Sequence, residues 1–415
     1  MIDNIAEDGL SRQQFISEFA IIGVVALISP CVAVFIALFL CFAQKKNENI
    51  ILLIFFLALY LSAINATKLP EGDQEAYMYE YLSIPAYSIG QTLTGTNLNM
   101  SVFVEKHEYG WVILNIVGYY ASFGYYSLFV VEFSLIIYLL LFISIYRFYK
   151  KINIENQYIS IITGILIVGF FPQLFSQTMH LERQCIASSI FIFALVDYIN
   201  REKPRLWLLL LPAFFHTSQI LLILIVLTHY LHYIYNRYNE YSASRFFVSL
   251  LVFSVAIGFT SVFATFLITQ GPSLYGVERL SHMGNSTEET LDVFFALKLI
   301  IPMCGIILLR LIKSKDVLVP YETKFYLVYG CLIIFAMLNP DNTMKYRFFN
   351  MSYMYMPFIV PLMFSRSQNL HKVYLLAVSI FFPIFFFTTF HKHPFNFAST
   401  SEIILDSLYS LITYR

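Results

Sequence analysis

The chain has 415 residues, of which 58% are hydrophobic and 13% charged, with 26 basic residues balanced by 26 acidic ones. A soluble domain carries roughly 45–50% apolar and about 25% charged residues, so this composition cannot clothe a water-facing surface and excludes a soluble enzyme. Zero net charge also removes the basic stripe on which phosphate-backbone binding depends, which excludes nucleic acid as a partner.

The chain opens with Asp3, Glu7 and Asp8 where a secretory signal would carry base, so the first apolar run is expected to stay as a span. Apolar runs of spanning or near-spanning length lie at 16–42, 50–64, 124–147, 156–172, 179–199, 206–234, 246–269, 292–310, 322–339, 351–366 and 372–390. They are continuously apolar rather than alternating, which predicts helices and not a barrel. The run 206–234 is interrupted by Pro212 and by His216 to Gln219, with Arg201, Lys203 and Arg205 before it and Arg237 and Arg245 after it. Positive charge at both ends places both in the cytoplasm, so the run predicts two short crossings with His216 near the outer turn. The expected fold is all-α: a single polytopic membrane domain over 1–415 with about 12 transmembrane helices (11–13). With that topology 16 of the 26 Lys and Arg residues face the cytoplasm, and both termini lie outside.

Three outer connections follow: a long loop at 65–123, and shorter ones at 270–291 and 340–350. The first holds Asp73, Glu75, Tyr77, Tyr79 and Tyr81, then Glu108, and from Trp111 its apolar spacing predicts a short interfacial helix with Trp111 at the membrane surface. Carboxylates beside aromatic rings suit sugars, so Asp73 and Glu108 are candidate proton acceptors and Tyr77 and Tyr81 candidate sugar platforms. Arg183 falls just under the outer surface near a helix N-terminus, where backbone N–H groups and a forked guanidinium favour an anion; a structural pairing with Glu182 or a loop acid is the competing reading. Arg347, with Lys345 beside it, occupies a similar place in a later span, and Arg279 lies in the second loop. His216 is expected to donate to a phosphate or act as a base. Within the spans, Glu132 and Lys298 fall at similar depth and would neutralise each other as a pair. The five cysteines show no C-x-x-C spacing, and the P-loop, G-x-S-x-G and H-E-x-x-H motifs are absent. No cofactor or metal is called for.

Four stretches carry a family likeness: Gly72-Asp-Gln-Glu-Ala-Tyr with Tyr81, Glu108-Tyr-Gly-Trp-Val-Ile-Leu-Asn, Leu181-Glu-Arg-Gln-Cys-Ile-Ala-Ser-Ser, and Ala213-Phe-Phe-His-Thr-Ser-Gln. Together they resemble the Wzy-type polysaccharide polymerases, particularly the EpsG-like branch, and more loosely the membrane glycosyltransferases of the GT-C type. The R-x10-G loop motif of some O-antigen polymerases is missing, since Ala194, Thr290 and Phe358 stand eleven residues beyond Arg183, Arg279 and Arg347. The resemblance implies a metal- and nucleotide-independent glycosyltransferase of the bacterial inner membrane. It would join undecaprenyl-pyrophosphate-linked oligosaccharides into O-antigen, capsule or exopolysaccharide on the periplasmic face. It places Arg183, His216 and Arg347 around the pyrophosphate, with Asp73 or Glu108 nearer the sugars, and implies a flippase and a chain-length regulator as neighbours. A flippase for the same lipid-linked unit, or a membrane O-acetyltransferase acting on glycans, are the alternative classes.

Overall fold

A computed structural model describes residues 2–70, 73–105, 108–152, 157–201, 203–235, 328–330, 332–333, 342–364, 368–390 and 398–414. Among these there are helices and no strands. The expected spans at 246–269 and 292–310, nearly all of 322–339, the loop 270–291, and the pairing of Glu132 with Lys298 lie outside the described residues.

The run 16–42 is not one span. Helix α1 (Ile2–Ile28) ends at Ser29, whose hydroxyl accepts from Val32 N at 3.4 Å, and Pro30 opens α2 (Pro30–Gln44). A serine cap followed by proline at the first helical position restarts a helix rather than continuing one. The two helices are antiparallel: Lys46 Nζ, just beyond α2, donates to Gln14 Oε1 at 3.3 Å, whereas Ser29 Oγ donates to Ile404 O at 3.2 Å. Gln14 and Ser29 are about 22 Å apart along α1 at 1.5 Å per residue. The N-terminal helix therefore starts at the Lys45/Lys46 end, bringing Arg12 with it, while the C-terminal helices α17 (Thr400–Leu405) and α18 (Leu408–Ile412) pack at the other. The expectation that both termini share one side is corrected by this hairpin, which periodicity does not show because the apolar run continues across the break from the second half of α1 into α2.

Helix α3 (Asn47–Ala66) returns along α2, and α8 (Tyr126–Ile152) forms the middle of the bundle, packed on α3, on α9 (Gln157–Phe170) and on α11 (Glu182–Arg201). Helices α3 and α8 are each long and apolar enough to cross a bilayer. The pair α9 and α10 (Pro172–His180) is so only together, across a 55° bend. Pro172 lacks the N–H that would continue the α9 ladder, hence the break. Arg147 near the end of α8 pairs with Asp197 near the end of α11, and Tyr126 at the start of α8 reaches Glu182 at the start of α11, so these two helices are parallel.

The run 206–234 reverses as expected. Arg205, preceding α12 (Leu206–Phe215), pairs with Asp197, and Thr217 just after it reaches Glu108, the partner of Arg183, so α12 runs back along α11. Helix α13 (Gln219–Tyr235) then follows α11, Gln219 Nε2 donating to Ser188 at 3.0 Å and Tyr230 meeting the ring of Tyr198. The turn lies at His216–Ser218. Helix α14 (Asn342–Tyr353) begins at the same end as Arg183 and leads into α15 (Met356–Phe364), and α16 (Gln368–Thr389) packs on α9. One end of the bundle thus gathers Lys45, Lys46, Arg147, Lys150, Arg201 and Arg205, hereafter the basic end. The outward faces of α1, α2 and α16 are apolar, with Ile21, Phe39 and Val373 exposed. A surface of this kind suits lipid and not water.

Candidate functional site

At the end of the bundle opposite the basic one, the predicted loop 65–123 folds into a compact helical layer: α4 (Asp73–Ser83), a turn at Ile84–Ala86, α5 (Ile89–Leu93), α6 (Leu98–Glu105) and α7 (Tyr109–Ala121). Ser88 and Gln91 cap α5 reciprocally, as a capping box requires. Helix α7 is apolar on both faces, with Ile113, Val117 and Tyr120 turned outward. Trp111 was expected at the membrane surface, but it is fully buried and its Nε1–H donates to Glu80 Oε2 at 3.0 Å. An indole can be buried whole once its single donor has an acceptor.

Glu108 is the hinge of the site. It stands at the N-cap position of α7, is 2% exposed at its side chain, and accepts from Arg183 Nη1 at 2.5 Å through Oε2. Its Oε1 accepts from the backbone N–H of Thr217 at 3.1 Å and lies 3.4 Å from Thr217 Oγ1. One carboxylate therefore joins α7, α11 and the α12–α13 turn. Gly110 makes this approach possible, since a Cβ there would stand 2.9 Å from Phe214 O. The carboxylate expected as a proton acceptor thus has both oxygens engaged, by Arg183 and by Thr217.

The Arg183 guanidinium lies over two rings, 4.4 Å from Phe103 and 5.6 Å from Tyr77, and its Nε–H is buried without an acceptor. Aromatic faces favour a cation and hold it in place. Tyr77 is a ring contact of this arginine, and burial pushes its phenol up while Arg183 opposes that shift. Tyr81, expected as a sugar platform, is instead fully buried: it packs on Phe129 and Tyr126, and its hydroxyl meets Ser122 Oγ at 2.5 Å. Asp73 is exposed at the start of α4 and lies four residues from Tyr77, on the same helix face.

His216 sits on the turn as expected. The Ser218 N–H donates to its Nδ1 at 3.1 Å, and Ser218 Oγ is 2.8 Å away. A backbone N–H can only donate, so in the neutral ring the proton is on Nε2, which becomes a donor. Arg347 is half-buried on α14, and its carbonyl accepts from Gln184 Nε2 at 2.9 Å, which brings its helix beside the residue that follows Arg183. Among the described residues no acid pairs with the Arg347 side chain. Arg279 and the side chain of Lys345 lie outside the described residues.

Several participants carry no motif. Glu80 is three residues beyond Tyr77; burial raises its pKa to about 7, against the opposing effects of Trp111 and Arg183. Lys68 is buried, donates to Phe175 O at 2.6 Å and lies 3.9 Å from the Phe175 ring centre, and burial lowers its pKa. Between α10, α11 and α14 a narrow slot is lined by Gln177, Gln184, Ser188 and Asn350, and both amide atoms of the buried Asn350 lack partners. The i, i+3 spacing of Tyr77 and Glu80 is the one such signal that sequence offered; Lys68 and Asn350 are ordinary residues until the helices meet. Among the described residues no group of three His, Cys, Asp or Glu side chains is placed to hold a metal.

The sequence model of the EpsG family matches residues 51–401, a stretch that contains every residue of this site. The chain belongs to the EpsG family. This is a Wzy-type polymerase family, so the general activity is of the polysaccharide-polymerase, glycosyltransferase-like kind and the setting is a membrane. No curated protein and no solved structure matches the chain.

Proposed function

We propose that this EpsG-family protein is the polymerase that transfers a growing glycan from undecaprenyl pyrophosphate to a hydroxyl of the next lipid-linked repeat unit, on the periplasmic face of a bacterial inner membrane. The observation that carries the reading is a cationic site with donors to spare. Arg183 has a buried Nε–H without an acceptor, and Arg347 pairs with no acid among the described residues. Charge develops on the leaving pyrophosphate in the transition state, and preset donors in a poorly solvated site stabilise it most strongly.

In the proposed step the acceptor hydroxyl oxygen bonds to the anomeric carbon of the donor sugar. The bond from that carbon to the pyrophosphate oxygen breaks, and undecaprenyl pyrophosphate leaves with the electron pair. The hydroxyl proton passes to an α4 carboxylate, Asp73 or Glu80, because Glu108 is held by Arg183 and Thr217. A flippase and a chain-length regulator would act on the same lipid-linked pool.

Purified protein given lipid-linked repeat units should produce a ladder of products on a gel. Arg347→Ala is expected to abolish the ladder while the protein stays folded, because that side chain makes no ion pair among the described residues. A normal ladder from this variant would remove Arg347 from the leaving-group site. No ladder from the wild-type protein with matched units would sink the polymerase reading.

A further inference from the structure

The far end of α11 plays no part in that reaction. Here Asp197, 3% exposed at its side chain, gathers three arginines: Arg147 Nη2 at 3.0 Å, Arg201 Nε at 3.2 Å and Arg205 Nε at 3.4 Å. They come from α8, from α11 and from the residue before α12. Among the described residues three cations share this one carboxylate, a surplus of two positive charges. Each guanidinium has five N–H donors; Arg147 and Arg201 each give one to Asp197 Oδ1, while Arg205 faces Oδ2 at ion-pair distance without a hydrogen bond. No second acid pairs with any of the three among the described residues. The arginine side chains are 30%, 52% and 38% exposed, so the surplus donors are open to a ligand.

Next to Arg205 the surface changes character. Leu206 and Trp207 are strongly exposed, and Leu210 follows one turn along α12. A tryptophan at the border between charge and an apolar strip marks the headgroup level of a bilayer. A ligand that satisfies both halves of this surface carries anionic oxygens and a hydrocarbon chain. We infer that the Asp197 arginine cluster is a headgroup site for an anionic phospholipid, its phosphodiester taken by the spare N–H groups and its acyl chains lying along Leu206, Trp207 and Leu210. Asp197 sets the arginines in a fork and competes with the lipid for them. Occupancy ties α8, α11 and α12 together at the basic end. An acidic peptide or free phosphate would leave the apolar strip uncovered.

The test uses the full chain in neutral detergent, titrated with phosphatidylglycerol or phosphatidylcholine of matched acyl chains, with bound lipid counted by native mass spectrometry. Phosphatidylglycerol should be retained preferentially. A variant with Arg147→Gln, Arg201→Gln, Arg205→Gln and Asp197→Asn, which leaves no orphaned carboxylate, should lose that preference by roughly tenfold or more, as expected for removal of surface cations. Asp197→Asn alone should hold the lipid as tightly as the wild type or more so. Equal retention of the two lipids by the wild type would overturn the inference, as would unchanged preference in the fourfold variant. Displacement of the lipid by a polyglutamate peptide or by inorganic phosphate at equal concentration would overturn it in favour of an acidic segment or a free anion.

Discussion

The two ends of α11 hold the same ingredients, arginine and a buried carboxylate, in opposite proportions. Near its start one arginine meets one acid, both largely shielded, and the acid also takes the backbone of the α12–α13 turn. Near its end one acid is shared by three half-exposed arginines. About 21 Å separates the two along the helix. A shielded one-to-one pair gives position, since losing either partner strands a charge away from water. A shared, exposed cluster gives surplus charge, and each member matters little to stability.

Breaking the shielded pair should have the largest effect. Glu108→Gln is expected to destabilise the protein by about 3 kcal/mol, read as a loss of melting temperature in detergent, because Arg183 is left without its counter-charge. Adding Arg183→Gln should restore part of that loss, giving a coupling well above the error of a double-mutant cycle. Additive losses would show that the pair does not act as a unit. Gly110→Ala should cost about 2 kcal/mol by forcing α12 away from α7, since overpacking against a backbone carbonyl cannot be relieved by a side-chain rotation. It should also reduce the product ladder without touching a charged group.

Glu80 sharpens the comparison through pH. Its folded pKa is raised to about 7 by burial, above the usual glutamate value near 4.3 in an unfolded chain. Between these values the folded protein binds the extra proton, so the stability tied to protonated Glu80 is complete at lower pH and is lost as pH rises through about 7. Melting temperature should therefore fall from pH 5 to pH 8 more steeply in the wild type than in Glu80→Gln, which keeps an acceptor for Trp111. Parallel profiles would exclude Glu80 as the titrating group. The smallest effect belongs to the basic end, where Arg147→Gln should cost no more than about 1 kcal/mol of stability because Asp197 keeps two other arginines.

Much of this arrangement is legible in the residues themselves. The reversal at His216 follows from basic residues on both sides of one apolar run, and the closeness of Arg183 and His216 follows from helices that must turn back beside each other. Ser29-Pro30 carried the signal for the first hairpin too, but it is a local signal inside an unbroken apolar stretch. Composition averages across such a break, so the stretch reads as one span. Tyr81 and Trp111 look like surface aromatics for a related reason: a hydroxyl or indole N–H calls for water only until a partner appears, and Ser122 and Glu80 are supplied by distant elements.

From the sequence alone came the membrane setting, the helical class, the side preference of the basic residues and the family likeness, because each depends on composition, period or short motifs. The tertiary structure decided which charges are spent and which remain available. Glu108 and Arg183 stand 75 residues apart, and Thr217 is 109 residues from Glu108. Nothing local couples them, and only the packing of α7, α11 and the α12–α13 turn turns a candidate base into a brace, while the Arg347 side chain pairs with no acid among the described residues.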